Sequence, residues 1–260
     1  MTSTVVLIHG TNAGPWTMQR FAGYFEQAGF ECHSPAYRDH GVSPSEEVSA
    51  RLVGVSIADY VEDIASYVDS LGTKPVLVGH SLGGVIAQKL AARGLARAIV
   101  SVNGSLNWGI LPTTDAERAL GRTLMSAGAF WEGTLLPDFD TMVKFGLNKL
   151  DPADQRRAFD QLGPESGRAM FELFFWMFDE NQTTKVDYDR IDCPVLMVSG
   201  SEDLAVPPST ARGIAERYSS EVTFHEAAGY GHYLMLEPEW EKIAALCAAW
   251  IDDVATAGPP

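Results

Sequence analysis

The segment from Val76 to Val85, which reads VLVGHSLGGV, most constrains what this chain can fold into. Its first half is an apolar run typical of a buried strand, and its second half opens a helix-like stretch. Between them, Gly79, Ser81 and Gly83 form a Gly-x-Ser-x-Gly pattern. Between a strand and a helix, this pattern predicts a sharp turn that lifts the serine hydroxyl above the edge of a sheet. A glycine-rich turn without chemistry, for example one that binds phosphate, is the alternative interpretation.

Apolar or β-branched runs alternate with longer helix-like stretches along most of the chain. Several runs are continuously apolar, which is typical of strands buried on both faces of a parallel sheet. The alternation favours right-handed crossovers and a doubly wound α/β sheet. The predicted strands are Val5–His9, Phe30–Pro35, Val76–Val78, Ala98–Val102, Val195–Ser199 and Val222–His225. The predicted helices are Thr17–Ala28, Ser56–Ser70, Val85–Arg93, Ser209–Tyr218 and Glu239–Val254.

One long stretch interrupts this alternation. It contains no convincing strand, and its aromatic and aliphatic residues recur at helix-like spacing, for example in Ala169–Phe178. Such a length is too great for a structureless loop. We therefore predict three parts: an α/β core at 1–103 and 191–254, a helical cap at 104–190, and a flexible tail at 255–260.

Charge and cysteine content argue against several classes of protein. The 260 residues include 34 Asp and Glu against 19 Lys and Arg, which gives a formal net charge of −15. Such acidity repels nucleic acid phosphates and anionic membrane surfaces. The three cysteines are widely spaced and form no CxxC pair, so we expect neither a disulfide framework nor a zinc site.

Targeting and cofactor motifs are not recognised in the sequence. The first residues lack a basic segment followed by a long apolar run, and no apolar run has the length of a transmembrane helix. We expect a cytoplasmic monomer or homodimer that binds a small-molecule substrate, not nucleic acid or a membrane. The sequence has no His-x-x-x-His pair and no glycine-rich nucleotide loop, so no metal or cofactor is expected.

Three further segments accompany the serine turn. Leu7–Asn12 reads LIHGTN, Val198–Pro207 reads VSGSEDLAVP and Gly229–His232 reads GYGH. In this order, the four segments resemble the oxyanion loop, the nucleophile turn, the acid loop and the histidine loop of the α/β-hydrolase superfamily. The resemblance covers nearly the whole chain. It implies an α/β-hydrolase fold with about six mostly parallel strands flanked by helices and with a helical cap insertion.

The resemblance also implies a catalytic triad of Ser81, Asp203 and His232. A serine hydroxyl is a weak nucleophile near neutral pH, so an adjacent base must take its proton and return it to the leaving group. His232 is the candidate base, and Asp203 would orient it and stabilise its cationic form. Glu202 is the competing carboxylate. His40 lies in a loop and could approach the site, but no serine pairs with it in the pattern.

Other residues are assigned to the walls of the site. The backbone N–H groups of Leu82 and Thr11 would stabilise the oxyanion, with that of Asn12 as a fallback. The segment Tyr37–Gly41 reads YRDHG where the family more often has Asp-x-Arg-Gly-x-Gly, so one wall is expected to differ. The residues predicted to contact the substrate are Asn12, His80, Trp108, Trp131, Trp176 and Tyr233.

These features predict a cofactor-free serine hydrolase that cleaves a carboxylic ester or lactone of a small, largely apolar substrate through an acyl-enzyme. A lyase, perhydrolase or haloperoxidase using the same fold is the first alternative, because His9–Trp16 partly resembles plant methyl esterases and hydroxynitrile lyases. Tyr233 stands where those lyases have lysine, which disfavours cyanohydrin cleavage. A non-catalytic ligand receptor is the remaining alternative.

Overall fold

Eight strands occur in the computed structural model, which describes residues 3–43 and 45–256. Six of them form one parallel sheet in the order β2-β1-β3-β4-β7-β8, and β5 and β6 form a separate antiparallel pair. All six strands predicted from the sequence are confirmed, with small differences at their ends. The strands are β1 (Thr4–Ile8), β2 (Glu31–His33), β3 (Val76–His80), β4 (Ala98–Val102), β5 (Thr134–Leu135), β6 (Glu165–Ser166), β7 (Val195–Gly200) and β8 (Val222–Ala227).

Ten α-helices and four short 3-10 helices accompany the strands in the described residues, and none of them is long and apolar enough to cross a membrane. The five helices predicted from the sequence are confirmed as α1, α3, α4, α9 and α10. The helices are α1 (Gln19–Gln27), α2 (Glu46–Leu52), α3 (Ile57–Ser70), α4 (Leu82–Ala92), α5 (Asp115–Ser126), α6 (Phe139–Phe145), α7 (Pro152–Phe159), α8 (Gly167–Phe174), α9 (Pro208–Ala215) and α10 (Trp240–Thr256).

Two helix features differ from the sequence-based expectation. Helix α2 is absent from the predicted helices, because it is short and buries only Val48 and Leu52. Ser45 caps it by accepting a hydrogen bond from the Val48 N–H. Helix α10 continues through Thr256, two residues into the predicted tail. The rest of that tail, residues 257–260, lies outside the described residues.

The main sheet separates two hydrophobic clusters. Val5 and Leu7 of β1 belong to the cluster that contains α1 and α10, whereas Val6 and Ile8 belong to the cluster with α3, α4 and α9. Successive side chains of a strand point to opposite faces, so a strand covered on both faces must be apolar at every position. This explains the continuous apolar runs, and each fully buried aliphatic side chain contributes about 1.5–3 kcal/mol to stability.

The stretch between β4 and β7, here called the insertion, contains helices α5 to α8 and the β5–β6 pair. The expectation that it has no strand is wrong for this pair, because two-residue strands carry no readable periodicity. Three buried glutamates of the insertion bond to the α/β core. Glu117 accepts from the Thr210 hydroxyl at 2.8 Å, Glu172 from the Ile57 N–H at 2.8 Å, and Glu165 from the Asn12 N–H at 3.0 Å. A buried acceptor that loses its donor is costly, so these contacts hold the insertion to the core.

The serine turn, residues 79–83, passes very close to its neighbours. A Cβ atom placed on Gly79 would lie 2.2 Å from the Gly83 carbonyl oxygen, and one placed on Gly83 would lie 2.2 Å from the Ile8 carbonyl oxygen. Real Cβ atoms do not approach backbone oxygens this closely. The two glycines of the pattern are therefore required by packing, since any side chain would push α4 away from β1 and β3.

We expect Gly79→Ala to lower the free energy of unfolding by roughly 2 kcal/mol or more, because the atoms that the added methyl group would meet belong to the backbone and cannot move aside. Gly213→Ala in α9 is the matched control: a Cβ there meets nothing within 4 Å. The control should be neutral or stabilising by about 0.5–1 kcal/mol. Urea unfolding of both variants measures the difference, and equal stabilities would contradict the packing argument.

Candidate active site

Ser81 sits at the start of α4 in a strained backbone conformation. Its φ is 52° and its ψ is −120°, a region that residues other than glycine rarely adopt. The surrounding backbone holds it there: the Ser81 N–H donates to the Val102 carbonyl at 3.2 Å, and the Ser81 carbonyl accepts from the N–H groups of Gly84 and Ser105. Such strain of roughly 1–3 kcal/mol persists only where neighbours over-determine the geometry, as at functional sites.

His232 and Asp203 form a buried hydrogen-bonded pair. The distance from His232 Nδ1 to Asp203 Oδ2 is 2.8 Å, and the Asp203 carboxylate is almost fully buried. The other carboxylate oxygen accepts from the N–H groups of Ala205 and Val206 at 2.8 and 2.9 Å. A carboxylate at Nδ1 favours the tautomer with its proton there, which leaves Nε2 as a proton acceptor. The pair therefore has the arrangement that a general base requires.

Glu202, the competing carboxylate, points away from this pair. Its side chain is about half exposed and accepts from the Lys149 ammonium at 2.6 Å. Its carbonyl accepts from the Asn148 side-chain amide at 3.0 Å. Glu202 thus belongs to a surface ion pair, whereas Asp203 faces the imidazole.

The backbone that precedes His232 is held by two buried side chains. The Asn103 amide nitrogen donates to the carbonyls of Gly231 and His232 at 2.8 Å each, and its oxygen accepts from the Gly200 N–H at 2.7 Å. His80 Nε2 lies 3.0 Å from the same His232 carbonyl. Burial lowers the pKa of His80 well below its usual value, so it is neutral and donates this bond through Nε2. Sequence reasoning missed Asn103, because a single polar residue after a strand has no motif of its own.

The loop after β1, residues 9–12, supplies backbone N–H groups near Ser81. Thr11 and Asn12 both line the cavity that contains Ser81. The Asn12 N–H donates to Glu165 Oε2 and its side-chain amide donates to the Gly163 carbonyl at 2.9 Å. Asn12 is therefore committed to the insertion, and Thr11 is the donor candidate of this loop. Leu82 is the first residue of α4, where N–H groups have no partner within the helix.

A cavity of about 240 Å³ lies between the insertion and the core. Ser81 and His232 are both in its wall. Most of the remaining wall is apolar and comes from the insertion, a composition typical of sites for apolar ligands. These apolar residues include Leu120, Leu124, Leu135, Leu136, Met142, Phe145, Met170 and Phe174.

The residues predicted to contact the substrate separate into two groups. Asn12 and Tyr233 line the cavity, whereas His80 and the three tryptophans are not part of its wall. Trp108 and Trp176 pack against each other with ring centroids 5.8 Å apart, and the Trp176 indole N–H donates to a backbone carbonyl. Trp131 packs on Phe171 and is 36% exposed. Indole N–H groups need a polar partner or water, which an apolar cavity does not offer.

Glu237 is a buried carboxyl group beside the histidine loop. Its Oε2 accepts from the Gly231 N–H at 2.8 Å, and its Oε1 has no hydrogen-bond partner among the described residues. Burial raises the pKa of Glu237 to about 7, and the nearby Asp203 carboxylate adds to the shift. Within residues 3–43 and 45–256, no cluster of three His, Cys, Asp or Glu side chains could hold a metal ion.

Comparison with known proteins places this chain in a family. A model described as "Alpha/beta hydrolase family" matches residues 5–246. The chain is 26% identical to a monoacylglycerol lipase of Mycolicibacterium smegmatis, over 95% of the chain and 87% of that protein. It is 34% identical to a carboxylesterase of Bacillus subtilis over 90 residues, which are 33% of the chain and 35% of the relative.

Solved structures have the same fold. A monoacylglycerol lipase from Paleococcus ferrophilus matches 97% of the chain and 96% of its own, with a TM-score of 0.72 and 23% identity. A methylesterase protein from Arabidopsis matches 96% of the chain and 99% of its own, with a TM-score of 0.73 and 15% identity. At these identities the likeness describes the fold alone.

The buried Glu237 carboxyl predicts a pH-dependent stability. Its pKa in the folded protein lies above the 4.5 of an unperturbed carboxyl, so the native state keeps a proton that the unfolded chain loses first. The stability that the neutral form contributes is present below pH 4.5 and is lost as pH rises through about 7. The unfolding free energy of the wild type should therefore fall relative to Glu237→Gln by roughly 2–3 kcal/mol between about pH 5 and pH 8.

Chemical denaturation at a series of pH values measures this difference. Glu241→Gln, at an exposed position of α10, is the control and should differ from the wild type by less than about 0.5 kcal/mol throughout. If the unfolding free energies of the wild type and Glu237→Gln differed by the same amount at every pH measured, Glu237 would already be ionised at the most acidic pH.

Proposed function

The chain belongs to the alpha/beta hydrolase family, and from this premise we propose that it is a cofactor-free serine hydrolase of carboxylic esters or lactones. In this proposal Ser81 is the nucleophile, His232 the general base and Asp203 the residue that orients it. The observation that carries the proposal is the 2.8 Å bond between His232 and Asp203 at the wall of the cavity that also contains Ser81.

The proposed reaction has two halves. The Ser81 hydroxyl attacks the ester carbonyl while His232 Nε2 takes its proton, and the oxyanion accepts hydrogen bonds from the N–H groups of Thr11 and Leu82. The carbon–oxygen bond to the alcohol breaks as His232 returns the proton, which leaves an acyl group on Ser81. Water then attacks this acyl group with His232 again as base, and the carboxylic acid is released.

The cavity supports an apolar acyl or alkyl group as the substrate part that binds beside Ser81. We propose that residues 104–190 act as a cap that forms this wall, over the catalytic core of residues 1–103 and 191–254. Each buried methylene contributes about 0.8 kcal/mol, so a chain along this wall gains affinity with length until the cavity is filled. The carboxylesterase and monoacylglycerol lipase names of the relatives agree with such substrates.

The nucleophile is tested by Ser81→Ala. We expect hydrolysis of small aryl esters to fall by roughly 10⁴–10⁶-fold and labelling by a fluorophosphonate probe to disappear, because the acyl group has no atom to bind. Ser105→Ala is the matched control, since Ser105 lines the same cavity but follows β4. It should retain labelling. Mass spectrometry of the labelled chain identifies the serine, and an adduct on any other residue would defeat the assignment.

The cavity wall is tested by Leu124→Phe. The larger side chain should shorten the acyl site, so kcat/KM for decanoyl esters should fall by roughly 10-fold relative to that for acetyl esters. Met125→Phe is the control, because Met125 is the next residue of α5 but faces solvent. Initial rates on a series of nitrophenyl esters measure the ratio. An unchanged chain-length profile in Leu124→Phe would mean that the acyl group binds elsewhere.

A further inference from the structure

Glu165 is a fully buried carboxylate that connects the insertion to the loop after β1. Its Oε2 accepts from the Asn12 N–H at 3.0 Å and lies 3.1 Å from His40 Nε2. Its Oε1 accepts from the Tyr60 hydroxyl at 2.6 Å and from the Ser166 N–H at 2.8 Å. Four donors therefore surround a group that would otherwise be expensive to bury.

His40, the partner of Glu165, is cationic because each of its two ring nitrogens faces a hydrogen-bond acceptor. Nδ1 lies 2.9 Å from the Arg38 carbonyl and Nε2 lies 3.1 Å from the Glu165 carboxylate. Both partners accept and cannot donate, so both nitrogens must carry protons. The pKa shifts of the two groups agree with an ion pair. Glu165 holds the pKa of His40 above its usual value, and His40 helps to lower the pKa of Glu165 to about 2.

At Asn12, the last residue of the loop after β1, the hydrogen bonds that hold the loop come from the insertion. Asn12 has a φ of 57°, a left-handed conformation in which its neighbours must keep it. Its N–H bonds to Glu165, its carbonyl accepts from the Gly163 N–H at 2.8 Å, and its side chain bonds to the Gly163 carbonyl. All these partners belong to the insertion. The peptide between Thr11 and Asn12 is thus held at its N–H by Glu165, and this restricts rotation at Thr11, whose own N–H belongs to the preceding peptide.

We propose that Glu165 is a positioning residue that acts through Asn12 to hold the Thr11 N–H at the oxyanion. This inference rests on the proposed function, since an oxyanion forms only if Ser81 attacks a carbonyl. The effect of Glu165 is on the transition state: the loop donor matters once negative charge develops, and it contributes little to binding of the neutral ester.

Glu172 provides a matched comparison within the insertion. It is also buried and tethers the insertion to the core, accepting from the Ser56 hydroxyl and the Ile57 N–H at the start of α3. Its hydrogen bonds within the described residues do not include the loop after β1. If activity falls because the insertion is loosened in general, it should therefore fall when either glutamate is changed. If it falls because the loop after β1 is no longer positioned, it should fall only when Glu165 is changed.

The experiment compares Glu165→Gln with Glu172→Gln in steady-state ester hydrolysis and in thermal unfolding. The complete loss of one oxyanion donor lowers the rate by about 10²–10³-fold. The Glu165→Gln variant should lose less than this, because its amide retains one acceptor oxygen. We therefore expect kcat of Glu165→Gln to fall by roughly 10–100-fold with KM within about twofold. Glu172→Gln should keep kcat within about twofold. A similar fall in both variants, or no fall in Glu165→Gln, overturns the positioning role.

A second measurement separates positioning from a general loss of structure. A trifluoromethyl ketone adds to a reactive serine and forms a tetrahedral oxyanion, so its inhibition constant should rise in Glu165→Gln by about the factor by which kcat/KM falls. Tyr60→Phe removes one donor to Glu165 and keeps the ring, and its kcat should fall by roughly threefold. If Glu165→Gln does not fold, an unchanged kcat in Tyr60→Phe overturns the inference.

Failure of the proposed function would be recognised separately. If the wild type hydrolyses no ester and its Ser81 takes no fluorophosphonate, the serine hydrolase proposal is wrong, and the positioning role falls with it. If the wild type is active and labelled while Glu165→Gln matches it in kcat and inhibition, only the positioning role is wrong.

Discussion

The parallel alignment of the central strands is the constraint on which the candidate site depends. In a parallel sheet all carboxyl ends lie at one edge, so residues that follow different strands meet there. Ser81 follows β3, Asn103 follows β4, Asp203 follows β7 and His232 follows β8. Because β7 lies between β4 and β8, the Asp203 loop is adjacent to the histidine loop, and a 2.8 Å bond can join residues 29 positions apart.

Buried hydrogen bonds determine the orientation of the loops at this edge of the sheet. The sheet determines which loops are neighbours, but the direction of each loop is determined by hydrogen bonds to groups that have no contact with solvent. Asn103 orients the backbone before His232, and Glu165 orients the loop after β1. An unsatisfied buried polar group is costly, so each such group resists any shift of the loop it holds. The two sides of the cavity thus depend on different residues: Asn103 in the core and Glu165 in the insertion.

Sequence reasoning predicted those parts of the molecule whose signal is local. Strands β1, β3, β4 and β7 are readable because both of their faces are covered and nearly every position is apolar. Asn103 and Glu165 cannot be predicted from local sequence, since each is a single polar residue with partners as far as 129 and 153 positions away. The sequence predicts the tryptophans at the cavity, where the structure does not have them. An aromatic residue of the core, of the surface or of a ligand site gives the same apolar pattern in the sequence, and only the packing distinguishes the three. The identity of the triad residues stays a prediction, supported by the geometry around His232.

The ionic contact beneath the loop after β1 has a consequence for how such a protein can change. Glu165 lies on one side of the boundary between insertion and core, while His40 and Tyr60 lie on the other. A chimera that received a foreign insertion with an apolar residue at position 165 would remove the carboxylate that keeps buried His40 protonated, and His40 would lose its proton and its hydrogen-bond partner together. Exchange of the insertion by recombination is therefore restricted to donors that bring a carboxylate to the same place, or to events that replace residues 40 and 60 as well.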